Sequence, residues 1–417
     1  MKNDHAHQTS AVSGTETVQD IPASLDRRLV WVMAGACALS IANLYYVQPL
    51  LAEMGQSFRL SVNQIGGVAT LMQLGFAAGL LLVVPLGDRY HRRTLIVSML
   101  GVVTLALILV ALAPTVTLLA AAGFVLGFAT VVPQLIVPLA ASLAAPFERG
   151  RVVGTVMSGL LIGILLARTV SGMIGAYLGW RAVYWSAAAI MIVLALALRL
   201  LLPEEKQRSA MNYWHLLRSL ASLIRTEPVL REAGIFYALS FGAFSAFWVT
   251  LTFLLQTPPY HYGSEVAGLF GLVGVVGAFS ASLVGRLADR FPVRYATGIA
   301  LLIVLCSFLC LWLTGHWLWG LILGVILLDL GTQGVHISNQ TRIYSLNPEA
   351  RNRLNTVYMV TGFLGGALGS YLGTWGWSLA GWNGVCGVGT LMLVAALTVF
   401  AINSKRTWGK RRKRSII

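Results

Sequence analysis

Long apolar runs constrain this chain more than any other feature of its sequence. Twelve stretches of about 20 residues each carry few or no charges: 29–53, 64–86, 94–113, 116–143, 152–177, 182–202, 232–256, 265–287, 295–315, 317–345, 355–374 and 384–403. As helices, segments of that length cross the hydrocarbon core of a bilayer. Inside lipid no water satisfies backbone N–H and C=O groups, so only helices and closed barrels are viable there. Hydrophobic residues make up 57% of the 417 and charged residues 11%, against about a quarter charged in ordinary soluble domains. The sequence predicts an all-α integral membrane protein of twelve transmembrane helices.

A duplication organises these spans. Leu86-Gly87-Asp88-Arg89-Tyr90 recurs as Leu287-Ala288-Asp289-Arg290-Phe291, and at the same offset Arg93 falls on Arg294. One residue further in offset, Arg149-Gly150-Arg151 falls on Arg351-Asn352-Arg353. Paired recurrences at close to half the chain length point to two pseudo-symmetric six-helix bundles. The expected divisions are a polar N-terminal tail at 1–28, a first bundle at 29–202, a linker at 203–231, a second bundle at 232–403 and a basic tail at 404–417. The first 28 residues lack the basic start, apolar centre and small-residue cleavage site of a signal peptide.

The net charge is +15, from 30 Lys and Arg against 15 Asp and Glu. Nucleic-acid binding would need these cations on a folded polar surface with stacking aromatics, and their placement argues otherwise. All but three lie in the tails, in the even-numbered connections or at the adjoining helix ends. Arg59 and Arg181 fall on the opposite side and Arg168 inside a span. By the positive-inside rule both termini are expected in the cytoplasm. In the linker Tyr213, Leu217, Leu220 and Ile224 recur at helical spacing, which predicts a short helix on the inner leaflet. Lys410-Arg411-Arg412-Lys413-Arg414 reads as a topology anchor able to touch anionic lipid. Trp180, Trp317, Trp319, Trp375, Trp377 and Trp382 fit an interfacial belt. Cys37, Cys306, Cys310 and Cys386 all lie within spans and read as free buried thiols.

Polar side chains within the membrane are costly, and therefore informative. Span 10 carries Asp329, Gln333, His336 and Gln340 on one helix face. An ionised carboxylate at mid-depth costs about 2.5–3.5 kcal/mol on insertion scales, so Asp329 must be paired, neutral or facing water. Either a proton-carrying site or a buried helix-to-helix network would place these residues so; a metal site of Asp329 and His336 lacks further ligands. Arg168 in span 5 needs a partner. It could pair with Asp329 in one state, bind an anionic substrate, or reach an outer aqueous vestibule. Span 7 lines up Tyr237, Phe241, Phe244 and Trp248, span 1 sets Asn43 and Tyr46 one turn apart ahead of Gln48, and span 4 holds Gln134 between Pro133 and Pro138.

With its twelve spans, central linker and two copies of the Asp-Arg loop, the chain resembles the major facilitator superfamily, whose loop between spans 2 and 3 has the form G-x-L-A-D-R-x-G-R-R. Gly285-Arg286-Leu287-Ala288-Asp289-Arg290 matches its first six places, while Val84 and His91 stand where the first copy should have glycines. The resemblance implies that spans 1, 4, 7 and 10 line a central cavity. Asp329, Arg168 and His336 are then candidates for proton coupling, and Asn43, Tyr46, Gln134, Tyr237, Phe241, Phe244, Trp248, Gln333 and Gln340 for binding a small-molecule substrate. It also implies a conformational latch. Asp88, with Arg89 and Arg93, would meet the start of span 11 near Asn355, and Asp289, with Arg290 and Arg294, the start of span 5 near Gly154, holding an outward-facing state; a carboxylate at a helix N-terminus is favoured there. Span 5 keeps the small-residue frame of the family's antiporter motif at Gly154, Gly163, Ser171 and Gly172, but Ala167-Arg168 replaces its Gly-Pro pair, and with it the kink assigned to that proline.

The resemblance points to the drug:proton antiporter branch: a proton-coupled exporter of a small organic solute in a bacterial inner membrane, working as a monomer, with an uptake symporter for an organic anion as the alternative. The chain has no nucleophile-base spacing, zinc motif or phosphate loop. No enzyme activity and no cofactor are expected.

Overall fold

The computed structural model describes residues 25–203, 213–274, 276, 293–347 and 350–414, with Asp88 and residues from 405 onward described by backbone alone. Asp289, Arg290, the side chain of Asp88 and most of the expected span 8 lie outside the described residues.

All regular structure among the described residues is helical. In the first half, α1 (Arg27–Ala42) and α2 (Val47–Phe58) form span 1, and α3 (Val62–Leu82) forms span 2. Span 3 is α4 (Arg92–Leu112), span 4 is α5 (Val116–Ala129) with α6 (Val132–Leu143), span 5 is α7 (Arg149–Leu178) and span 6 is α8 (Trp180–Leu201). The linker holds α9 (Tyr213–Thr226). Span 7 is α10 (Pro228–Gln256), α11 (Ser264–Gly274) begins span 8, α12 (Val293–Thr314) is span 9 and α13 (Leu318–Tyr344) is span 10. The last helix, α14 (Arg351–Arg414), has 64 residues, far longer than a bilayer is thick, and breaks at Ala380 and Gly381, where Gly381 has φ 55°. Its two arms are spans 11 and 12.

Local chemistry fixes where these helices start and bend. Asp26 caps α1, Thr115 caps α5, and Ser61 with Gln64 forms a capping box at α3. Pro228 occupies the first turn of α10, where a missing N–H costs nothing. Proline also explains the two broken spans. The ring of Pro49 conflicts with the carbonyl four residues earlier, that of Tyr45, and α1 gives way to turns over 43–46. Pro133 acts in the same way on Ala129, and α5 ends there. Span 5, with no proline, runs as one uninterrupted helix of 30 residues.

The halves meet through glycines and polar bonds on the side away from the linker. Span 2 lies on span 11, with Gln73 Nε2 donating to Ser370 Oγ at 2.8 Å and the Phe76 and Phe363 rings 4.4 Å apart. Span 5 lies on span 8, where a side chain at Gly172 would collide with the backbone of Ser264 and Gly268, and Thr169 Oγ1 donates to the Gly268 carbonyl at 2.9 Å. At the far end Thr252 Oγ1 donates to the Pro49 carbonyl, Gln56 Nε2 to Gln256 Oε1, and Ser264 Oγ to Glu53 Oε1. At the linker end spans 2 and 4 stand apart from span 11 around a vestibule of about 440 Å³ lined by Pro85, Ala141, Leu220, Arg351, Asn352 and Thr356 among others.

Several expectations change here. The linker helix turns Leu216 and Leu220 inward and leaves Ile224 exposed, and Tyr213 Oη donates to the Leu82 carbonyl, so α9 is tied to the bundle. Trp317, Trp319 and Trp375 are exposed as a belt requires, but Trp180 and Trp382 are buried, Trp382 Nε1 donating to the Leu311 carbonyl. Cys37 and Cys386 are buried, whereas Cys306 is exposed on the outer surface of span 9, because spacing alone does not say which face meets lipid. Arg93 donates to the Arg199 carbonyl and Arg294 to Glu232, contacts that each lie within one half. Glu232 also holds Arg342 at 2.5 Å and Asn403 at 3.4 Å, joining spans 7, 9, 10 and 12.

Glu232→Ala removes the carboxylate shared by Arg294, Arg342 and Asn403 and is expected to lower stability by about 2–3 kcal/mol, read as a fall in the unfolding temperature of purified protein. With the four native cysteines replaced by serine, Ala141→Cys should react with an impermeant thiol reagent from the linker side, and Thr252→Cys from neither side. Labelling of Thr252→Cys alone would place the opening at the opposite face.

Candidate functional site

At the inner end of the vestibule lies a second cavity, of about 230 Å³, between the halves. Gln134, Val137, Tyr344, Asn355 and Met359 line both spaces, so the two adjoin. Span 10 presents Asp329, Thr332, Gln333, His336, Gln340 and Tyr344 to the cavity, along the face its sequence periodicity predicts.

Arg168 lines the same cavity. Only 1% exposed, it reaches the cavity from the middle of span 5. Its Nε donates to Gln48 Oε1 at 2.6 Å, and its guanidinium carbon lies 3.9 Å from the Trp248 ring centroid, 5.0 Å from that of Tyr45 and 5.8 Å from that of Phe244. These rings offer their negative faces to the cation. The break in span 1 matters here, since Tyr45 and Gln48 flank the Pro49 disruption and both bear on Arg168. On the other flank Gly271 of span 8 abuts Arg168 Cβ.

Asp329 is 4% exposed, its carboxylate packed against Gly274. No ion pair forms between Asp329 and Arg168 in this state, although each feels the other's charge. Pairing in one state, one of the three readings of Arg168, is therefore not made in this one, and the side chain is buried here rather than open to a vestibule. Among the described residues ten buried side-chain polar atoms have no hydrogen-bond partner, and five cluster here: Arg168 Nη2, Trp248 Nε1, Asp329 Oδ2, Thr332 Oγ1 and His336 Nδ1. Buried polar groups are nearly always satisfied, so such a cluster marks a candidate site with polar atoms free for water or a ligand.

Aromatic rings close the remaining wall. Tyr237 lies 4.8 Å from His336 and 4.6 Å from Tyr358, while Phe241 stacks on Phe244 and meets Phe363 edge-on. Of the residues expected to bind substrate, Gln134, Tyr237, Phe241, Phe244, Gln333 and Gln340 line the cavity. Trp248 sits behind, against Arg168. Asn43 and Tyr46 are misplaced by the sequence reading: Asn43 is fully buried, its Nδ2 turned to the Ser40 carbonyl and Met191 Sδ, and Tyr46 is likewise absent from the lining. Extrapolating one continuous helix through the break put the wrong face of span 1 toward the cavity; Tyr45 takes that place. Phe76, Asn355 and Phe363 were also missed, because spans 2, 5 and 11 join spans 1, 4, 7 and 10 around the space, and Thr332 lies on span 10 one turn from Asp329. Asn355 Oδ1 accepts from both Gln340 and Tyr344.

Comparison with known proteins agrees with this architecture. The sequence profile of the Major Facilitator Superfamily matches residues 33–370 and 283–416. The chain is 43% identical over 376 residues to the putative uncharacterized transporter YgaY of Escherichia coli (strain K12), covering 90% of this chain and 95% of the relative. It is 36% identical over 387 residues to the probable transporter SCO4007 of Streptomyces coelicolor, covering 92% and 90%. Among solved structures, a mutant of the nucleoside transporter NupG superposes with a TM-score of 0.75 at 15% identity, over 90% of this chain and 99% of that one, a likeness of fold. The match along nearly the whole length, together with paired bundles around a central cavity, establishes that the chain belongs to the Major Facilitator Superfamily.

Proposed function

We propose that this chain is a proton-coupled secondary transporter that exports a small organic solute across a bacterial inner membrane by alternating access, as a monomer with both termini in the cytoplasm. Asp329 is the observation that carries the reading: a carboxylate 4% exposed, lining the cavity between the halves, with Oδ2 unpartnered. Such a group is charged only at a cost in the membrane interior and becomes neutral by taking up a proton. The basic residues gathered on the linker side support a cytoplasmic linker and termini. On that orientation the vestibule opens inward, and a cytoplasmic solute meets a formed site. Residues of both halves of one chain line the cavity, which fits a monomer.

A second reading, an uptake symporter for an organic anion, draws on Arg168 Nη2, a buried guanidinium donor left for a ligand. Flux direction separates the two. In oriented proteoliposomes, substrate-driven proton movement opposite to the solute, lost by tenfold or more in Asp329→Asn, is the expected result. Co-directional flux with anions would support uptake, and flux unchanged by Asp329→Asn would return that residue to a structural role. His336→Gln tests the third candidate: retained proton exchange with weakened solute binding would remove it from the proton path.

A further inference from the structure

Within that reading of the cavity as the transport site, we infer that its solute is a small zwitterion with an aromatic or apolar body, its carboxylate bound by Arg168 and its ammonium by Asp329. The guanidinium is pre-set for an anion. Gln48 occupies Nε, Trp248 and Tyr45 hold the plane, and the unpartnered Nη2 belongs to a side chain lining the cavity. A planar fork held in this way suits a carboxylate, which takes two parallel N–H bonds. On span 10 Asp329 Oδ2 is an unpartnered acceptor in a side chain that is itself more than nine-tenths buried, and Thr332 Oγ1 lies one turn along the same helix face. An ammonium group supplies the three donors that such acceptors want.

The two charges of the site are opposite, both are buried, and they do not neutralise one another by contact. A purely anionic solute would leave Asp329 facing added negative charge, and a purely cationic one would do the same to Arg168. A solute carrying both charges satisfies both. The walls of the same cavity include the rings of Tyr45, Phe76, Phe241, Phe244 and Phe363, which suit an apolar body. The cavity volume of about 230 Å³ lies below the 300–1,000 Å³ typical of pockets for drug-sized ligands, which sets the solute at the scale of a metabolite.

The test is equilibrium binding to purified full-length protein with probes that share one ring and differ in charge. L-phenylalanine and para-aminomethylbenzoate are zwitterions with short and long charge separation; phenethylamine, hydrocinnamate and phenethyl alcohol are cation, anion and neutral. At least one zwitterion is expected to bind about ten- to a hundredfold more tightly than the three others, as the loss of one charged hydrogen-bonded contact implies. Arg168→Gln should bring the zwitterion down to the affinity of the amine, whose own binding is retained or strengthened by the loss of a like charge, and Asp329→Asn should do the converse with the acid. Retained binding of the amine or acid shows that the variant is folded; if Arg168→Gln does not fold, the wild-type ranking decides alone. No saturable binding of either zwitterion, or no preference over the singly charged probes, overturns the inference. A zwitterion preference without proton movement in vesicles leaves the site assignment standing and removes the proton coupling. Proton-coupled transport of simple amines without that preference does the reverse.

Discussion

A guanidinium held among helices in the middle of a membrane protein is the constraint around which the rest is arranged. Burying an ion costs several kcal/mol unless other groups replace its hydration. Here the replacement comes from a glutamine, a tryptophan and a tyrosine gathered on Arg168. Two of the three come from the stretch of span 1 disrupted by Pro49, so a proline that weakens one helix is what lets that helix serve a charge on another. Span 8 contributes by absence: at Gly271 a side chain would press on Arg168 Cβ and the Leu165 carbonyl.

The same spans form the closure between the halves. Thr169, next to Arg168 in sequence, bonds to the Gly268 carbonyl, and Gly274 in the same helix lies against the Asp329 carboxylate. Helix α11 thus touches both charged residues of the cavity and one face of the far-side contact. Any rocking that separates spans 5 and 8 must alter the surroundings of Arg168 and Asp329 together. Glycines let these backbones approach closely without interlocking side chains, which suits an interface that has to part. The Glu232 cluster lies within the second half, joining its helices at the linker side, so that half can move as a unit.

Much of this was legible in the sequence. Hydropathy gives the spans because backbone satisfaction in lipid leaves helices as the default, and the repeated Asp-Arg loop gives the two halves. The polar face of span 10 was legible because α13 is unbroken from Asp329 to Gln340, so a constant 3.6-residue period holds. Span 1 defeats the same reasoning: the turns over 43–46 reset the phase, and Tyr45 rather than Asn43 or Tyr46 faces the cavity. Nor could the sequence tell that Arg168 would settle on Gln48 and Trp248 instead of Asp329, since hydropathy does not fix how far each helix is rotated about its axis.

The chemistry of the proposed exchange follows from having one carboxylate for two cations. A proton and a solute ammonium cannot both occupy Asp329 Oδ2, so the arrival of one favours the release of the other, as exchange requires. With a zwitterion bound, the charges of Arg168, Asp329 and solute sum to zero; with a proton bound, the guanidinium is left with a net positive charge. On this mechanism the potential across an inside-negative membrane acts on the returning, protonated state. One charge moving through 100 mV supplies about 2.3 kcal/mol, equivalent to roughly fiftyfold accumulation. The permanent charge of Arg168 would then have two uses, holding the solute's carboxylate on the outward step and keeping the cavity positively charged on the return.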